Sequence, residues 1–454
     1  MEAVRRVVWS PNGLTGLGLA LIGAWVVGVL TIMDTTGYET YAPLFIGPIL
    51  VAVSLPVLSR QAKREGSDTL FWLLAAALVL KLLSALVREF VSSEVYGGSV
   101  DAASYHNHGV RISENFLAGN FDSGLPNLLS TNFIRFLTGI LYTLIGTSRL
   151  GGYLVYSWLG FWGLFMFYRA FTVALPEGNA RLYARLLFFL PSLLFWPSSI
   201  GKEAWMMFTV GIAAYGAARI LSGATLRGIA GVGLGLWLAS FVRPHVAGMI
   251  GLALAAAYLI RPPSERLRQL GPLVKAFFLA GLAVMAVFLV VKTDTFLEQA
   301  GIDTTSQTTV VGGLQERTGE GGSGFTPSPI IGEPLKAPIG AITVLFRPFP
   351  NEAHNTQALA TALEGTFLLL FSLFRLRHGL AAVGSLRRRP YVAFALLYSC
   401  LFIVAFSTLA NFGLLARERV QLVPLYLLLF CIPAREKRPE KHGERPREAQ
   451  LTHS

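Results

Sequence analysis

The stretch "NFIRFLTGILYTLIGT", Asn132–Thr147, decides how this chain is threaded. It is apolar along most of its length and reads at first as a membrane-spanning helix. Counted as one, it inverts every loop that follows it. The basic loops "RPPSERLRQ" (261–269) and "SLRRRP" (385–390) would then face outward. Lysine and arginine in short loops collect on the cytoplasmic side of a membrane. Asn132–Thr147 is therefore expected to lie along the outer membrane surface, or to dip in without crossing.

That threading presumes a membrane, and the composition supplies one. Of 454 residues, 53% are hydrophobic and only 14% are charged, where a soluble domain carries about 25% charged residues. The apolar residues come in blocks, and about 20 such residues span a bilayer as a helix. The expected fold is all-α, a single polytopic membrane domain over 1–433 with about 11–13 spans. The blocks fall at 13–33, 42–58, 70–87, 151–172, 184–200, 203–221, 228–242, 246–260, 272–292, 358–376, 391–410 and 419–433. A β-barrel would instead show short alternating segments. Arg5 and Arg6 precede the first block, which is long for a signal-peptide core, so an uncleaved first helix is expected. Cys400 and Cys431 fall inside apolar blocks and read as small buried hydrophobes, with no disulfide framework.

The net charge of +12 is not a nucleic-acid footprint, because its location reports orientation instead. Arg60, Lys63 and Arg64 share a side with Arg181, Arg185, Arg261, Arg266 and Arg268. Arg375, Arg377, Arg387–Arg389 and the tail 434–454 join them. That side is expected to be cytoplasmic, with both termini on it and the tail disordered. Two long loops, 88–150 and 293–357, fall on the other side. The first carries the surface-lying helices, and loops this long are usually functional or disordered.

Five polar clusters, far apart in sequence, are expected on that same outer face. They are Asp101, Tyr105, His106 and His108; Lys202 and Glu203; Arg243 and His245; Arg347, Glu352 and His354; and Asn411, Arg417, Glu418 and Arg419. Ionisable residues at membrane depth are costly and mark substrate paths. Cations on the face that orientation should leave poor in them point to an anionic partner such as a lipid phosphate. Each cluster has a plainer reading. Asp101 can be a turn or cap residue, and His106 and His108 can be solvated rather than metal ligands. Lys202 and Glu203 can form an interfacial turn, and Pro244 can break a helix between Arg243 and His245. Arg417 and Arg419 are two positions apart, so one is expected to face the protein and the other lipid headgroups. Glu364 needs a buried partner, for which an arginine of these clusters is expected. Lys81 is expected to snorkel to the interface.

An acidic residue in an early outer loop, then surface-lying helices and many spans, resembles the GT-C class of membrane glycosyltransferases. "PSLLFWPSSIGKE", Pro191–Glu203, is similar to the Pro…Phe-x-Ser…Glu segment of mannosyltransferases in that class. Ala102 and Ala103 follow Asp101, where the class carries a second acidic residue. The resemblance implies a donor sugar carried on a polyprenyl phosphate, a glycan or lipid acceptor, and the outer face of the cell inner (plasma) membrane as the workplace. It implies Asp101 as catalytic base. Arg243, Lys202, Arg347 and Arg417 would stabilise the leaving phosphate. Tyr105, His106, Glu203, His245, Glu352 and Arg419 complete the expected substrate-binding set. The loop 293–345 would close as a lid. No nucleotide cradle is visible, no cofactor is implied, and a divalent metal is left open. Asn411-Phe-Gly with Arg417 and Arg419 before Pro424 also looks like bacterial polysaccharide polymerases. A lipid-linked glycan flippase is the alternative outside enzymes, and a purely structural membrane protein leaves the outer cations unexplained.

Overall fold

The structure is a computed structural model. It describes residues 11–98, 101–223, 225–261, 323–331 and 333–434, with four isolated positions at 276, 280, 313 and 315. Nearly all of the expected span 272–292, the first part of the loop 293–357 with most of its expected lid, and the tail from 435 onward lie outside the described residues.

The described residues form helices and no strand, with one isolated bridge between Gly324 and Asn411. The chain begins with α1 (Pro11–Thr35), α2 (Tyr38–Arg64) and α3 (Asp68–Phe90), and α3 runs on through a π turn at Val91–Val95. Two amphipathic helices follow, α4 (Asp101–Leu117) and α5 (Thr131–Ile145). The centre is built from α6 (Arg149–Ala174), the short α7 (Ala180–Phe189) and α8 (Pro191–Phe195), then α9 (Lys202–Leu221), α10 (Thr225–Ser240) and α11 (Pro244–Ile260). After the gap come α12 (Ala337–Phe346), α13 (Thr356–Phe374), α14 (Leu376–Gly384), α15 (Pro390–Phe406), α16 (Phe412–Arg419) and α17 (Val423–Leu428). Five of these, α2, α3 with its π turn, α6, α9 and α13, are long and apolar enough to cross a membrane.

Local chemistry sets the boundaries. Ser67, Ser148, Asn179 and Asn355 each accept a backbone N–H with the side chain at a helix start, satisfying donors that the helix leaves unpaired. Pro191, Pro244 and Pro390 stand at first-turn positions, where a missing N–H costs nothing. The expected break at Pro244 is present, with Arg243 as the N-cap. Two other blocks differ from expectation. The block 184–200 is two short helices, because Pro191 stops α7, and the chain then turns through Trp196–Gly201. The block 419–433 holds the end of α16 and the six-residue α17, joined and followed by turns. Asn132–Thr147 forms most of α5, a 15-residue helix with a rise of about 22 Å, short of a hydrocarbon core of about 30 Å.

Small residues let the central helices touch. A Cβ on Gly163 of α6 would sit 2.3 Å from the Met207 carbonyl oxygen of α9, and one on Gly211 would sit 2.4 Å from the Gly163 carbonyl oxygen. Backbones therefore meet directly, the contact that association of apolar helices relies on when water expulsion cannot drive it. Gly109 and Gly139 let α4 and α5 close on each other in a different way, by leaving room for the Thr138 and Ile112 side chains. Gly163→Leu is expected to pry α6 from α9 and cost about 1–3 kcal/mol. The check is the thermal unfolding midpoint of the purified protein. It should fall for Gly163→Leu and hold for a control such as Leu144→Met on the exposed face of α5.

Candidate functional site

The stretch "PSLLFWPSSIGKEAW", Pro191–Trp205, is where the polar interior begins. Its first turn, α8, is clamped at both ends by charged side chains from other helices. Glu364 of α13 accepts the Ser192 amide at 2.6 Å and the Ser192 hydroxyl. Lys81 of α3 donates to the carbonyls of Leu193 at 2.7 Å and Leu194 at 2.9 Å. Acid at the start and base at the end match the helix dipole and satisfy its loose backbone groups. Lys81 departs from expectation: it is fully buried rather than snorkelling, because unpaired carbonyls lie inside the protein within its reach. The hydrogen-bond partner of Glu364 is Ser192, and Arg419 of the expected clusters is near enough to act on its charge.

The clamp presents Phe195 and Trp196 to Arg88, whose guanidinium lies 4.7 and 5.0 Å from their ring centroids. Arg88 follows Lys81 by seven residues on α3, which puts both cations on one helix face. No carboxylate is paired with Arg88 among the described residues.

Beyond the turn, Glu203 opens α9 and is almost fully buried. Its Oε1 accepts Arg417 Nε at 3.2 Å and Nη2 at 3.0 Å, and Arg243 Nη2 at 3.3 Å. Arg243 also pairs with Glu418, whose other oxygen accepts Gln421 at 2.7 Å. Arg417 Nη2 reaches on to Asp101 Oδ2 at 3.1 Å. The Arg417 guanidinium is held above its usual range by Glu203 beside it, and burial pushes the Glu418 carboxyl up. Asp101 differs from the other two acids. Its side chain is 59% exposed, and among the described residues only Oδ2 is hydrogen-bonded.

A cavity of about 240 Å³ opens between these groups, lined by Arg88, Ser92, Asp101, Tyr105, Glu203 and Arg417 among others. Burial keeps the Tyr105 phenol protonated well above its ordinary range. Arg88 and Arg417 also wall a neighbouring cavity of about 360 Å³ with Tyr96, Trp196 and Gln357. A third, of about 90 Å³, shares Tyr96, Trp196 and Gln357 and extends to Glu352 and His354. The three adjoin through shared walls, with Arg88 and Arg417 between the first and the second.

Lys202 lies just outside the first cavity and donates to Ser130 at 2.9 Å. Ser130 has a positive φ of 52°, a conformation that costs a non-glycine residue energy. Its amide bonds the Phe241 carbonyl at 2.6 Å, so the corner is held from both sides.

The structure does not bring every expected residue to these cavities. Arg347 pairs internally with Glu352 and lies 5.0 Å from the rings of both Phe325 and Phe412, so its charge is already matched. His245 packs on the Phe406 ring. His106 bonds the Tyr142 hydroxyl at 2.8 Å, and burial pulls its pKa down. His108 faces the Ser104 carbonyl. Arg419 does not reach for headgroups. It is buried and donates to the carbonyls of Leu345 and Arg347, while Arg417 turns toward Glu203, so both point inward. No group of three histidine, cysteine or acidic side chains among the described residues is placed to hold a metal ion. Arg88, Ser92 and Tyr153 also line the first cavity, and none of them stands out in the sequence as a site residue. The seven-residue spacing of Lys81 and Arg88 on one apolar helix is the signal that could have found the arginine.

No family model matches this chain, and no curated protein or solved structure shows significant similarity to it.

Glu203→Gln leaves the buried Arg243 and the half-buried Arg417 without their shared counterion and is expected to cost about 3–5 kcal/mol. Asp101→Asn removes one arm of an exposed pair and is expected to cost less than about 1 kcal/mol. Thermal unfolding of the two variants in one detergent checks the contrast. Acid should act on a different pair. Arg347 beside Glu352 holds that carboxyl below its usual range. Its stabilisation is therefore complete above the unfolded carboxylate range and is lost as pH falls through the depressed folded value. The stability gap between wild type and Glu352→Gln should hold steady above about pH 5 and close below it.

Proposed function

We propose that this protein is a polytopic membrane glycosyltransferase with about 11–13 spans. It moves a sugar from a polyprenyl-phosphate carrier to a cell-envelope glycan or lipid acceptor on the outer face of the plasma membrane, with both termini cytoplasmic. One observation carries the reading. An accessible carboxylate, Asp101, shares a cavity with Arg88, a guanidinium with no carboxylate within ion-pair distance among the described residues, at the end of long apolar helices.

Asp101 Oδ1 takes the proton of the acceptor hydroxyl while Arg417 holds Oδ2 in place. The acceptor oxygen bonds to the anomeric carbon of the sugar, and the bond from that carbon to the phosphate oxygen breaks. Negative charge grows on the departing lipid phosphate, and Arg88 stabilises it without a proton transfer. A placed general base contributes about 10²–10⁴ in rate. The three adjoining cavities accommodate a chain of sugars better than a single small molecule.

A second reading, a polymerase joining lipid-linked repeat units, is favoured by the occupation of one Asp101 oxygen by Arg417 from α16. The test is transfer of labelled sugar from a polyprenyl-phosphate donor to acceptor in proteoliposomes. Asp101→Asn is expected to lower the rate about 10²-fold or more, and Arg88→Gln about 10²–10³-fold. Full activity of Asp101→Asn alongside an inactive Arg88→Gln would transfer the assignment to the polymerase. Movement of intact donor across the bilayer without sugar transfer would indicate a flippase.

A further inference from the structure

Sixteen residues separate Tyr153 from Arg169 on α6, and sixteen separate Glu203 from Arg219 on α9. At 1.5 Å per residue, both arginines lie about 24 Å along their helices from the Asp101 cavity. They converge there on one acceptor. Arg169 Nη2 donates to the Tyr215 hydroxyl at 3.2 Å, and Arg219 Nη1 donates to the same oxygen at 3.1 Å. Both guanidiniums also lie near the Tyr215 ring, 5.4 and 5.7 Å from its centroid. A third guanidinium, Arg261 at the end of α11, donates to the Ile220 carbonyl at 3.0 Å.

The charge at this end is not balanced. A phenol oxygen accepts two hydrogen bonds but offers no negative charge. The two donor nitrogens are at most about 6 Å apart, where like charges repel. None of the three arginines is paired with a carboxylate among the described residues. Glu65, beside the preceding Tyr168, is engaged by the Tyr168 hydroxyl at 2.6 Å and by Gln61. The C-terminus of α9 supplies only about half a negative charge against three full positive ones. The buried Nε of Arg219 also has no hydrogen-bond partner among the described residues.

We propose that Arg169 and Arg219, with Arg261 beside them, bind a phosphate oxyanion carried by an anionic lipid headgroup. Guanidinium groups pair with phosphate through parallel N–H donors. The lipid source follows from position. A separation of about 24 Å from the first polar layer approaches the thickness of a hydrocarbon core, about 30 Å. The arginines therefore stand where headgroup phosphates stand, on the opposite leaflet from Asp101. The site is independent of the transferase reading, so either can fail without the other.

The experiment is native mass spectrometry of the full chain, purified in detergent and offered phosphatidylglycerol, phosphatidylcholine or inorganic phosphate. Wild type should retain phosphatidylglycerol over phosphatidylcholine. Arg169→Gln and Arg219→Gln should each weaken retention about tenfold, the loss of a charge-assisted hydrogen bond. Tyr215→Phe keeps both guanidiniums and should retain the lipid, which guards against reading a folding defect as lost binding. Equal retention of phosphatidylglycerol by wild type and both Gln variants overturns the proposal. Displacement of the lipid by millimolar inorganic phosphate supports the oxyanion site and reassigns its source to soluble phosphate.

Discussion

The carboxylate of Glu203 is the constraint on which one end of the bundle depends. It is buried, and a buried charge is tolerated only with close partners. Those partners come from far along the chain: Arg243 at the break between α10 and α11, and Arg417 on α16. Satisfying one acid therefore fixes three segments relative to each other. Arg417 carries the constraint on to α4 through Asp101, and Arg243 carries it to Glu418. Apolar packing holds α6 to α9 at Gly163 and Gly211, but it does not say which polar ends must meet. The ion network does.

A second electrostatic device works beside the first. Glu364 and Lys81 hold a five-residue helix from its two ends, and that helix leads into the aromatic bed of Arg88. Alone, a helix this short does not persist, since its few internal hydrogen bonds do not repay the ordering of its first turn. Clamped from α3 and α13, it becomes a rigid platform. A guanidinium laid on two aromatic rings keeps its N–H groups free at the edge, available to an anion in the cavity.

Much of the helical plan was legible in the sequence because apolar block length is a strong signal. The break at Pro244 and the extent of α5 were visible in breaker residues or in length. The divided block at 184–200 was not, because its apolar character continues across Leu190 and Pro191 while the backbone turns. Of the first cavity and its ion network, Asp101, Tyr105, Glu203, Arg243 and Arg417 were legible, and Arg88 was not. Arg88 reads as the first residue of a loop because the apolar block ends at 87, and its position on a helix face follows once α3 is carried on to Phe90. Arg347 reads as an available cation, because nothing in the sequence shows that Glu352, five residues later, folds back onto it. Arg169 and Arg219 sit inside apolar blocks, where loop charges do not reveal them.

The same network separates acids that are held rigidly from one that is free to change partners. Glu203 and Glu418 are buried against arginines, and removing a partner from such a pair costs about 3–5 kcal/mol. They hold their partners through any event in the cavity. Asp101 shares Arg417 at the surface, where an ion pair is worth about 1 kcal/mol or less. It can therefore exchange part of that contact for another hydrogen-bond partner at little cost. Arg417 stays in place when it does, because two of its three hydrogen bonds among the described residues go to Glu203. An exposed acid can thus change partners on a scaffold whose buried acids cannot.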